Sequence, residues 1–345
     1  MQFTGRSTYV LSLPKKWIEE MQLKPGDQVT LMRELDNSLS IIPVSASTAS
    51  ESLSEVTAII TPNEGANSLK RKVVSMYLGG YNIIHLKIKS GRISSTARDA
   101  IREVVRRNLV GTEMIADASD NITLQVLLSL PELSVNTAIR RMYLIASSMH
   151  KDSMSALIEL NHELAKEVIK SDDEVDRFSL YVLRNLVMAT QNGRVLREMG
   201  LKNPSDCLSY RVAVKSIERV ADHACSIASK STRLKDKLPK DSMQMIEKMS
   251  SLALTVLGDS VEALLRRDYI LADKTVDNAE NIRALEDDTI ATLEKDKIQD
   301  VGNIKLVLED IRRTAEYASD IAESALNETI DEVIEKHQLA VVHSR

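Results

Sequence analysis

Two stretches of helical pattern, 94 residues apart, constrain the fold of this chain more than any other feature of its sequence. The first, Ile217 to Ala228, reads IERVADHACSIA, and the second, Ile311 to Ala322, reads IRRTAEYASDIA. In each stretch, Ile and Ala recur three or four residues apart, which is the spacing of one apolar helical face. The first stretch also places Glu218 and Asp222 four residues apart, whereas the second has an arginine and a glutamate there. The repeat therefore keeps its packing face and loses half of its acid pair.

A second repeat signal extends the first. The segment Asp152 to Ile169 aligns without gaps on Asp259 to Val276, at an offset of 107 residues. Since the offset falls to 94 at the first pair of stretches, the first copy has 13 additional residues, which we expect near Gly200 to Asp206. Each copy is long enough for three helices, so we expect two tandem three-helix bundles, residues 132 to 236 and residues 240 to 338.

Length and composition agree with a mainly helical protein. The chain has 345 residues, too many for one ordinary core, and only 3% of them are aromatic, so aliphatic side chains must fill the interior. It has two cysteines without metal spacing and no apolar run of membrane-spanning length. We therefore expect a cytoplasmic protein without membrane insertion, and we interpret Cys225 as a small core residue.

The first 45 residues have the pattern of a small β unit. Thr8 to Leu13 alternates like a strand, Lys15 to Met21 follows Pro14 as a short helix, and two further strands flank a turn at Asp36 to Ser38. A unit of this size cannot bury an adequate core alone. We therefore expect it to pair with a second copy of itself.

This β unit resembles the SpoVT/AbrB family of swapped-hairpin DNA-binding domains. The resemblance is carried by the segments Ser12 to Trp17, SLPKKW, and Leu23 to Val29, LKPGDQV. It implies an intertwined homodimer whose basic loops contact DNA, here through Arg6, Lys15 and Lys16. The unit has five basic and five acidic side chains, however, and strong phosphate binding needs a surplus of cations. A dimerisation module that no longer binds DNA is therefore the alternative.

A linker and a basic module are expected next. Residues 46 to 65 are rich in small polar side chains and are interpreted as a linker, and residues 66 to 130 as a small α/β module. Between residues 66 and 115, ten Lys and Arg stand against three acids, whereas the whole chain has a net charge of −5. Arg98, Arg102 and Arg106 form one ridge of a predicted helix. We predict that this ridge contacts DNA; contact with the acidic half of the same dimer, or an ordinary solvated face, are the alternatives.

The three-helix repeats resemble the PhoU family of phosphate-uptake regulators. The resemblance is carried by Ile217 to Ala224 in the third helix of the first copy and by Asp172 to Asp176 in its second helix. In that family, acid-x-x-x-acid motifs on neighbouring helices hold iron, zinc or other divalent metal clusters. The resemblance assigns this role to Asp172, Asp176, Glu218 and Asp222. Four carboxylates suit a hard cation, so we predict a divalent or iron-type metal ion at the first repeat.

A solvated acidic face is the alternative at the first repeat. Ser171 and Glu174 have the spacing of a capping box, so that Asp172 could simply lie at a helix start. Glu218 could also pair with Lys215 or Arg219. His223 is one position away from the acidic stripe, and we expect a packed or exposed histidine rather than a ligand.

The second repeat departs from the metal motif. The positions that match the four acids of the first repeat are Ala279, Arg283, Arg312 and Glu316. One acid of four remains, so we predict no cation site there. The two arginines are expected to pair instead with acids such as Glu316, Asp320 or Glu280.

Together these features predict a multidomain, mainly α protein. Its order is an N-terminal small β swapped-hairpin domain, a small α/β module and two tandem three-helix-bundle PhoU-like repeats. We interpret it as a phosphate-responsive DNA-binding transcriptional regulator of phosphate uptake with a metal-binding sensor bundle. The alternative is an adaptor that dimerises and docks on a phosphate transporter ATPase or a signalling kinase to inhibit uptake. An enzyme is not expected, because no nucleophile–base pair or glycine-rich phosphate loop stands in the sequence.

Overall fold

A computed structural model describes residues 2–4, 8–33, 38–43, 54–61, 64–128, 133–298 and 300–334 of the chain. The chain divides into two compact units, Met1–Ser54 and Glu55–Arg345. The first unit has a short helix and two antiparallel hairpins: β1 (Gln2–Thr4) with β2 (Thr8–Val10), α1 (Lys15–Glu20), and β3 (Val29–Arg33) with β4 (Leu39–Pro43). The predicted small β unit is confirmed, although its second strand ends at Val10 rather than at Leu13.

The first unit leaves large apolar side chains exposed. The exposed fraction is 58% for Leu11, 64% for Leu31 and 66% for Leu39. Apolar exposure on this scale is typical of a surface that another chain covers. It agrees with the expected pairing of this unit with a second copy, and the dimer itself stays a prediction.

The second unit begins with an α/β module in which two helices cover one face of a four-stranded sheet. Its elements are β5 (Glu55–Ile60), α2 (Ala66–Leu78), β6 (Ile83–Ile88), α3 (Ser95–Asn108), β7 (Thr112–Asp117) and β8 (Asn121–Val126). The strand order is β5-β6-β8-β7, with β5 parallel to β6 and the other pairs antiparallel. Leu69, Tyr77 and Ile84 lie fully buried in its core.

The predicted linker at residues 46 to 65 is wrong in its second half. Residues Glu55–Ile60 form β5, which pairs with Ile83–Ile88 of β6 through α2. A parallel pair needs such a long crossover, so no local hairpin signal marks the strand in the sequence. The α/β module therefore starts at Glu55, eleven residues before the predicted boundary.

In the rest of the second unit, the described residues form six long helices and one short α-helix, followed by a 3-10 turn at Ile330–Glu332. The elements are α4 (Val135–Glu159), α5 (His162–Gln191), α6 (Gly193–Glu198), α7 (Asp206–Ser231), α8 (Lys240–Arg266), α9 (Tyr269–Lys295) and α10 (Val301–Thr329). The helices α4, α5 and α7 pack on one another, as do α8, α9 and α10. The two bundles meet where α7 packs on α10 and α4 on α8. Among the described residues, no helix is long and apolar enough to cross a membrane.

The two bundles repeat one another in backbone detail. Leu160 and Arg267, which end α4 and α8, both have a φ of 58° and lie at the predicted offset of 107 residues. The next residues, Asn161 and Asp268, both accept a hydrogen bond from the backbone N–H three residues on and so cap α5 and α9. The 13 additional residues of the first copy fall between α5 and α7. They include the short helix α6, so this insertion is more ordered than the predicted loop.

The α/β module docks on the first repeat through α5. The buried guanidinium of Arg184 donates hydrogen bonds to the carbonyl oxygens of Gly80, at 3.0 Å, and Tyr81, at 2.9 Å, and to that of Tyr77. These carbonyls end α2, where the helix dipole favours a cation. The carbon Cζ of Arg184 also lies 4.9 Å from the centre of the Tyr77 ring. Helix α5 is therefore shared between the module and the first bundle.

Candidate cation site in the first repeat

Four carboxylates of the first repeat lie along the contact between α5 and α7. Asp172 and Asp176 are one helical turn apart on α5, and Glu218 and Asp222 are one turn apart on α7. Residues four apart share one face of a helix, so each pair forms a short acidic stripe. The apolar face predicted beside them is confirmed, because Ile217 and its companions are fully buried in the bundle core.

Burial and the neighbouring carboxylates raise the pKa of three aspartates in this acid cluster. Burial and then the charges of Asp222, Asp173 and Glu218 raise the pKa of Asp172 to about 6. Burial and then the charges of Asp172, Glu218 and Asp222 raise the pKa of Asp176 to about 6 as well. The pKa of Asp222 is also raised, by burial and by Glu218. Carboxylates shifted in this direction lack sufficient positive charge nearby.

The predicted capping box at Ser171 is wrong. Helix α5 continues without interruption from His162 to Gln191, and the hydroxyl of Ser171 donates a hydrogen bond to the carbonyl of Glu167 at 3.1 Å. Asp172 therefore lies in the middle of a helix. The favourable dipole at a helix start does not explain its presence there.

One member of the cluster is partly compensated. The ammonium of Lys215 contacts the carboxylate of Glu218, and the hydroxyl of Ser179 donates to the same oxygen at 3.2 Å. The predicted alternative partner of Glu218 is thus confirmed for Lys215. One lysine does not balance four carboxylates, and the pKa values of Asp172 and Asp176 stay raised in its presence.

The thiol of Cys225 lies beside the acid cluster, which the sequence interpretation missed. Cys225 is half-buried and packs against the bundle core at its edge, and its sulfur lies 3.8 Å from the carbonyl oxygen of Val168. Burial and the charges of Asp172 and Asp222 raise the pKa of this thiol to about 12. The signal was present in the sequence, since Cys225 follows Asp222 by three residues and so lies on the same helical face.

The donor set suits a hard cation, but the side chains do not form a closed ligand set. In the part of the chain that the structure describes, no three His, Cys, Asp or Glu side chains converge in the geometry of a metal site. The four carboxylates nevertheless offer oxygen ligands, and a cation would relieve the repulsion that helps to raise the pKa of Asp172, Asp176 and Asp222. Asp172, Asp176, Glu218 and Asp222 therefore fit the predicted metal ion in the chemistry of their oxygen atoms but do not converge on one point, and the metal site stays a prediction.

In the second repeat, arginines neutralise the one carboxylate that remains at the corresponding position. Glu316 forms ion pairs with Arg283 at 3.5 Å, with Arg313 at 2.9 Å and with Arg312. Burial raises the pKa of Glu316, but the hydrogen bonds from Arg312 and Arg313 outweigh it and the pKa is lowered. The predicted pairing of Arg283 and Arg312 with Glu316 is confirmed. The pKa of Glu316 is thus lowered, whereas the pKa of Asp222, the residue that it matches in the first repeat, is raised.

The basic ridge of α3 is largely paired within its own module. Arg98 and Arg102 both form ion pairs with Asp117 of β7, and Arg98 also donates to the carbonyl of Ala118 at 2.9 Å. Arg106 is exposed. Since Asp117 offsets much of the positive charge, the ridge offers phosphate less than the sequence pattern predicts.

A basic contact with the acidic half of the chain exists one position beyond the ridge. The Nε atom of Arg107 lies 3.9 Å from a carboxylate oxygen of Asp173 on α5.

In the first unit, Lys15 and Lys16 are highly exposed and lie 3.7 Å and 3.8 Å from Glu19 and Glu20. The predicted DNA contact Arg6 lies outside the described residues.

A separate polar cluster joins the two bundles. His223 Nδ1 lies 2.8 Å from Asp310 Oδ1, and Lys230 donates to Asp310 Oδ2 at 2.6 Å. His150 is fully buried beside them, with its Nε2 atom 2.9 Å from the hydroxyl of Ser250, and burial lowers its pKa to about 4. His223 is therefore a packed histidine directed to the other bundle, as expected.

Comparison with known protein families gives one match in the first unit and one in the first repeat. Residues 139–231, which span α4 to α7, match the model of the PhoU domain. Residues 2–48 match the model of MazE, a bacterial antitoxin described as antidote-toxin recognition. The chain carries a PhoU domain behind a MazE/AbrB-like domain. The PhoU match coincides with the repeat that holds the acid cluster.

Two relatives match this chain over stretches longer than one repeat. The phosphate-specific transport system accessory protein PhoU homolog of Aquifex aeolicus is 28% identical over 155 residues, which are 44% of this chain and 66% of that protein. The PhoU homolog 1 of Thermotoga maritima is 23% identical over 209 residues, which are 54% of this chain and 82% of that protein. This chain thus spans just under two thirds of the Aquifex relative. The crystal structure of PhoU from Pseudomonas aeruginosa has the same fold, with a TM-score of 0.51 and 18% identity over 57% of this chain and 96% of that one.

Proposed function

We propose that this chain is a metal-binding regulator of phosphate uptake that acts on DNA as a dimer. The observation that supports this most is the union in one chain of a MazE/AbrB-like domain and a PhoU domain. The related accessory proteins belong to phosphate-specific transport systems. The exposed apolar side chains of the first unit support dimerisation through that unit.

The acid cluster is the proposed sensor. Asp172, Asp176 and Asp222 carry charge that nearby cations leave uncompensated, whereas the equivalent Glu316 is held by arginines. A divalent or iron-type ion at the first repeat would balance this charge. Such an ion would also join α5, which contacts the α/β module, to α7.

The metal proposal is tested by elemental analysis of protein purified without chelator. The double variant Asp176→Ala/Asp222→Ala is expected to lose the metal that the wild-type chain retains. The matched control is Glu286→Ala/Glu316→Ala in the second repeat, which is expected to retain it. Equal metal content in the wild type and the Asp176/Asp222 variant would exclude this site.

The DNA proposal rests on the first unit and on the exposed part of the α3 ridge. Because Asp117 pairs with Arg98 and Arg102, we assign the main phosphate contacts to Lys15, Lys16 and Arg106. In anisotropy titrations with duplex DNA, Lys15→Glu/Lys16→Glu is expected to weaken binding and to lower the salt slope by about 2.

The exposed lysines Lys235 and Lys237 provide the matched control for the DNA experiment. The variant Lys235→Glu/Lys237→Glu makes the same charge change in the loop between α7 and α8 and is expected to bind DNA like the wild type. Failure of the wild-type dimer to bind any duplex at low salt would exclude the transcriptional part of the proposal.

A non-DNA-binding adaptor is the second candidate. It is favoured by the ion pairs that Lys15 and Lys16 form with Glu19 and Glu20, because they reduce the charge offered to phosphate. In this case the PhoU domain would dock on a phosphate transporter ATPase or a signalling kinase. A pull-down from phosphate-replete cells separates the candidates, since the adaptor would retain transporter or kinase subunits and would not shift DNA.

A further inference from the structure

A groove on the outer surface of the first repeat has an apolar floor and an acidic rim. It lies between α4 and α5 and has a volume of about 370 Å³. Met149 and Val168 form part of the floor, and Leu144 at its edge is 58% exposed. No lysine or arginine of the described residues lines it. Single exposed leucines are common on protein surfaces, but Leu144 adjoins a concave apolar surface and enlarges the area that a partner could bury.

The second repeat has different residues at the equivalent surface. The offset of 107 residues places Ser251 where the first repeat has Leu144, and Thr275 where it has Val168. The backbone of the two bundles is the same at these helices, since both caps coincide at that offset. The fold therefore does not require an exposed leucine here.

The rim of the groove differs between the repeats in charge as well. Glu167 and Glu174 line the groove, and neither forms an ion pair with another described residue. Their counterparts in the second repeat are Lys274 and Asn281, so one negative charge is reversed and the other is lost. Asp152 adds a third carboxylate to the rim. Three acids around an apolar floor complement a partner that is apolar on one face and basic at its edges.

The dimensions of the groove fit a helix of about three turns. The lining residues run from Leu144 to Asp152 on α4 and from Leu164 to Glu174 on α5. At a rise of 1.5 Å per residue these segments are about 12 Å and about 15 Å long. We propose that this groove binds an amphipathic helix of a partner protein, with leucine-type anchors on the floor and lysine or arginine against the acidic rim.

The full-length chain and a labelled peptide test this proposal. The probe is a fluorescein-labelled 16-residue peptide with leucine at helical spacing i, i+3, i+4, i+7 and lysine at the flanking positions. Its affinity is measured by anisotropy at low and at physiological salt. The variant Leu144→Ser, which installs the residue of the second repeat, is expected to weaken binding by at least about tenfold. The variant Glu167→Lys is expected to do the same, and most strongly at low salt.

The controls distinguish binding in the groove from non-specific binding of the peptide. Leu306→Ser removes an exposed leucine of α10 and is expected to leave the affinity within about twofold. A peptide with glutamate in place of lysine, and a scrambled basic peptide, are both expected to bind poorly. Leu144 and Glu167 are both exposed, so both variants are expected to fold. If one of them does not, the affinity of the other variant tests the proposal.

Three results would overturn the assignment. The first is an unchanged affinity of Leu144→Ser and Glu167→Lys for the peptide, and the second is a scrambled peptide that binds as tightly as the designed one. The third is a Leu144→Ser variant that loses self-association in sedimentation experiments but still binds the peptide. The last result would make the groove an interface between copies of this chain.

Discussion

Replacing Asp176 by asparagine is expected to stabilise the metal-free protein at neutral pH. The substitution keeps the shape of the side chain and removes one charge from the acid cluster. In the folded chain the pKa of Asp176 is raised from 3.8 to about 6, first by burial and then by the neighbouring carboxylates. The folded state therefore binds more protons than the unfolded state between these values, so stability falls as the pH rises through this window and stays low above it.

The size of this effect follows from the shift. Two pKa units correspond to about 3 kcal/mol, and because Asp176 is only half-buried, solvent screening reduces the expected gain to about 1–2 kcal/mol. For a protein of this size that is an increase in Tm of about 1–3 °C in EDTA at pH 7.5. Saturating metal should reverse the order of the two proteins, because only the wild type gains the full free energy of binding.

Thermal unfolding followed by circular dichroism measures these changes at pH 4 and pH 7.5, with EDTA and with added Mn²⁺ or Zn²⁺. At pH 4 the wild-type carboxyl group is largely protonated, so the variant should show little difference there. Asp273→Asn, at an exposed aspartate of α9, is the control and should change neither Tm nor the response to metal. A lower Tm of Asp176→Asn in EDTA, or the same difference at both pH values, would refute the reasoning.

Three further predictions address the rest of the second unit. Arg184→Met should lower the free energy of unfolding by about 3 kcal/mol, because several buried carbonyls lose their hydrogen-bond donor. Hydrogen exchange should then increase first at the end of α2. Arg184→Lys should retain only part of the wild-type stability, since lysine lacks the planar guanidinium group with its several donors. The folded-state pKa of His150 is lowered to about 4, so its contribution to stability is complete above pH 6.5 and is lost as the pH falls toward 4. His150→Leu should therefore flatten this acid-side slope by up to about 3 kcal/mol in guanidinium unfolding between pH 4 and 7. The triple variant Ala279→Asp/Arg283→Asp/Arg312→Glu rebuilds the four-acid pattern in the second repeat and should add metal binding there, measured by elemental analysis; unchanged metal content in a folded protein would contradict the idea that these three positions separate the repeats.

The helical half of this protein could be predicted because its determinants are local. Apolar positions three and four apart define the buried faces, as at Ile217 and Ala221, which are fully buried. Asn161 and Asp268 mark helix starts through hydrogen bonds to residues three positions away. The same local spacing placed Glu218 and Asp222 on one helical face.

Most of the contacts that the sequence did not reveal are between distant parts of the chain. Arg184 binds carbonyls more than one hundred residues away, and nothing around it in the sequence indicates burial. Asp117 reaches Arg98 and Arg102 only because β7 packs beside α3. The sequence therefore predicts more unpaired positive charge on the ridge than the fold provides. Strand β5 was missed for the same reason, since its partner lies beyond a whole helix.

The comparison of the two repeats separates residues that the fold requires from residues that it does not. Both bundles keep their caps and their alanine-rich interfaces, so these features serve packing. The uncompensated acids, the exposed Leu144 with its acidic rim and the buried Arg184 belong to the first repeat, and α5 contributes to all three. In the second repeat, arginines neutralise Glu316 and a serine replaces the leucine at the groove. A change in charge at the acid cluster would therefore act on the helix that also contacts the α/β module and lines the groove, while the second repeat holds α7 and α4 from the opposite side.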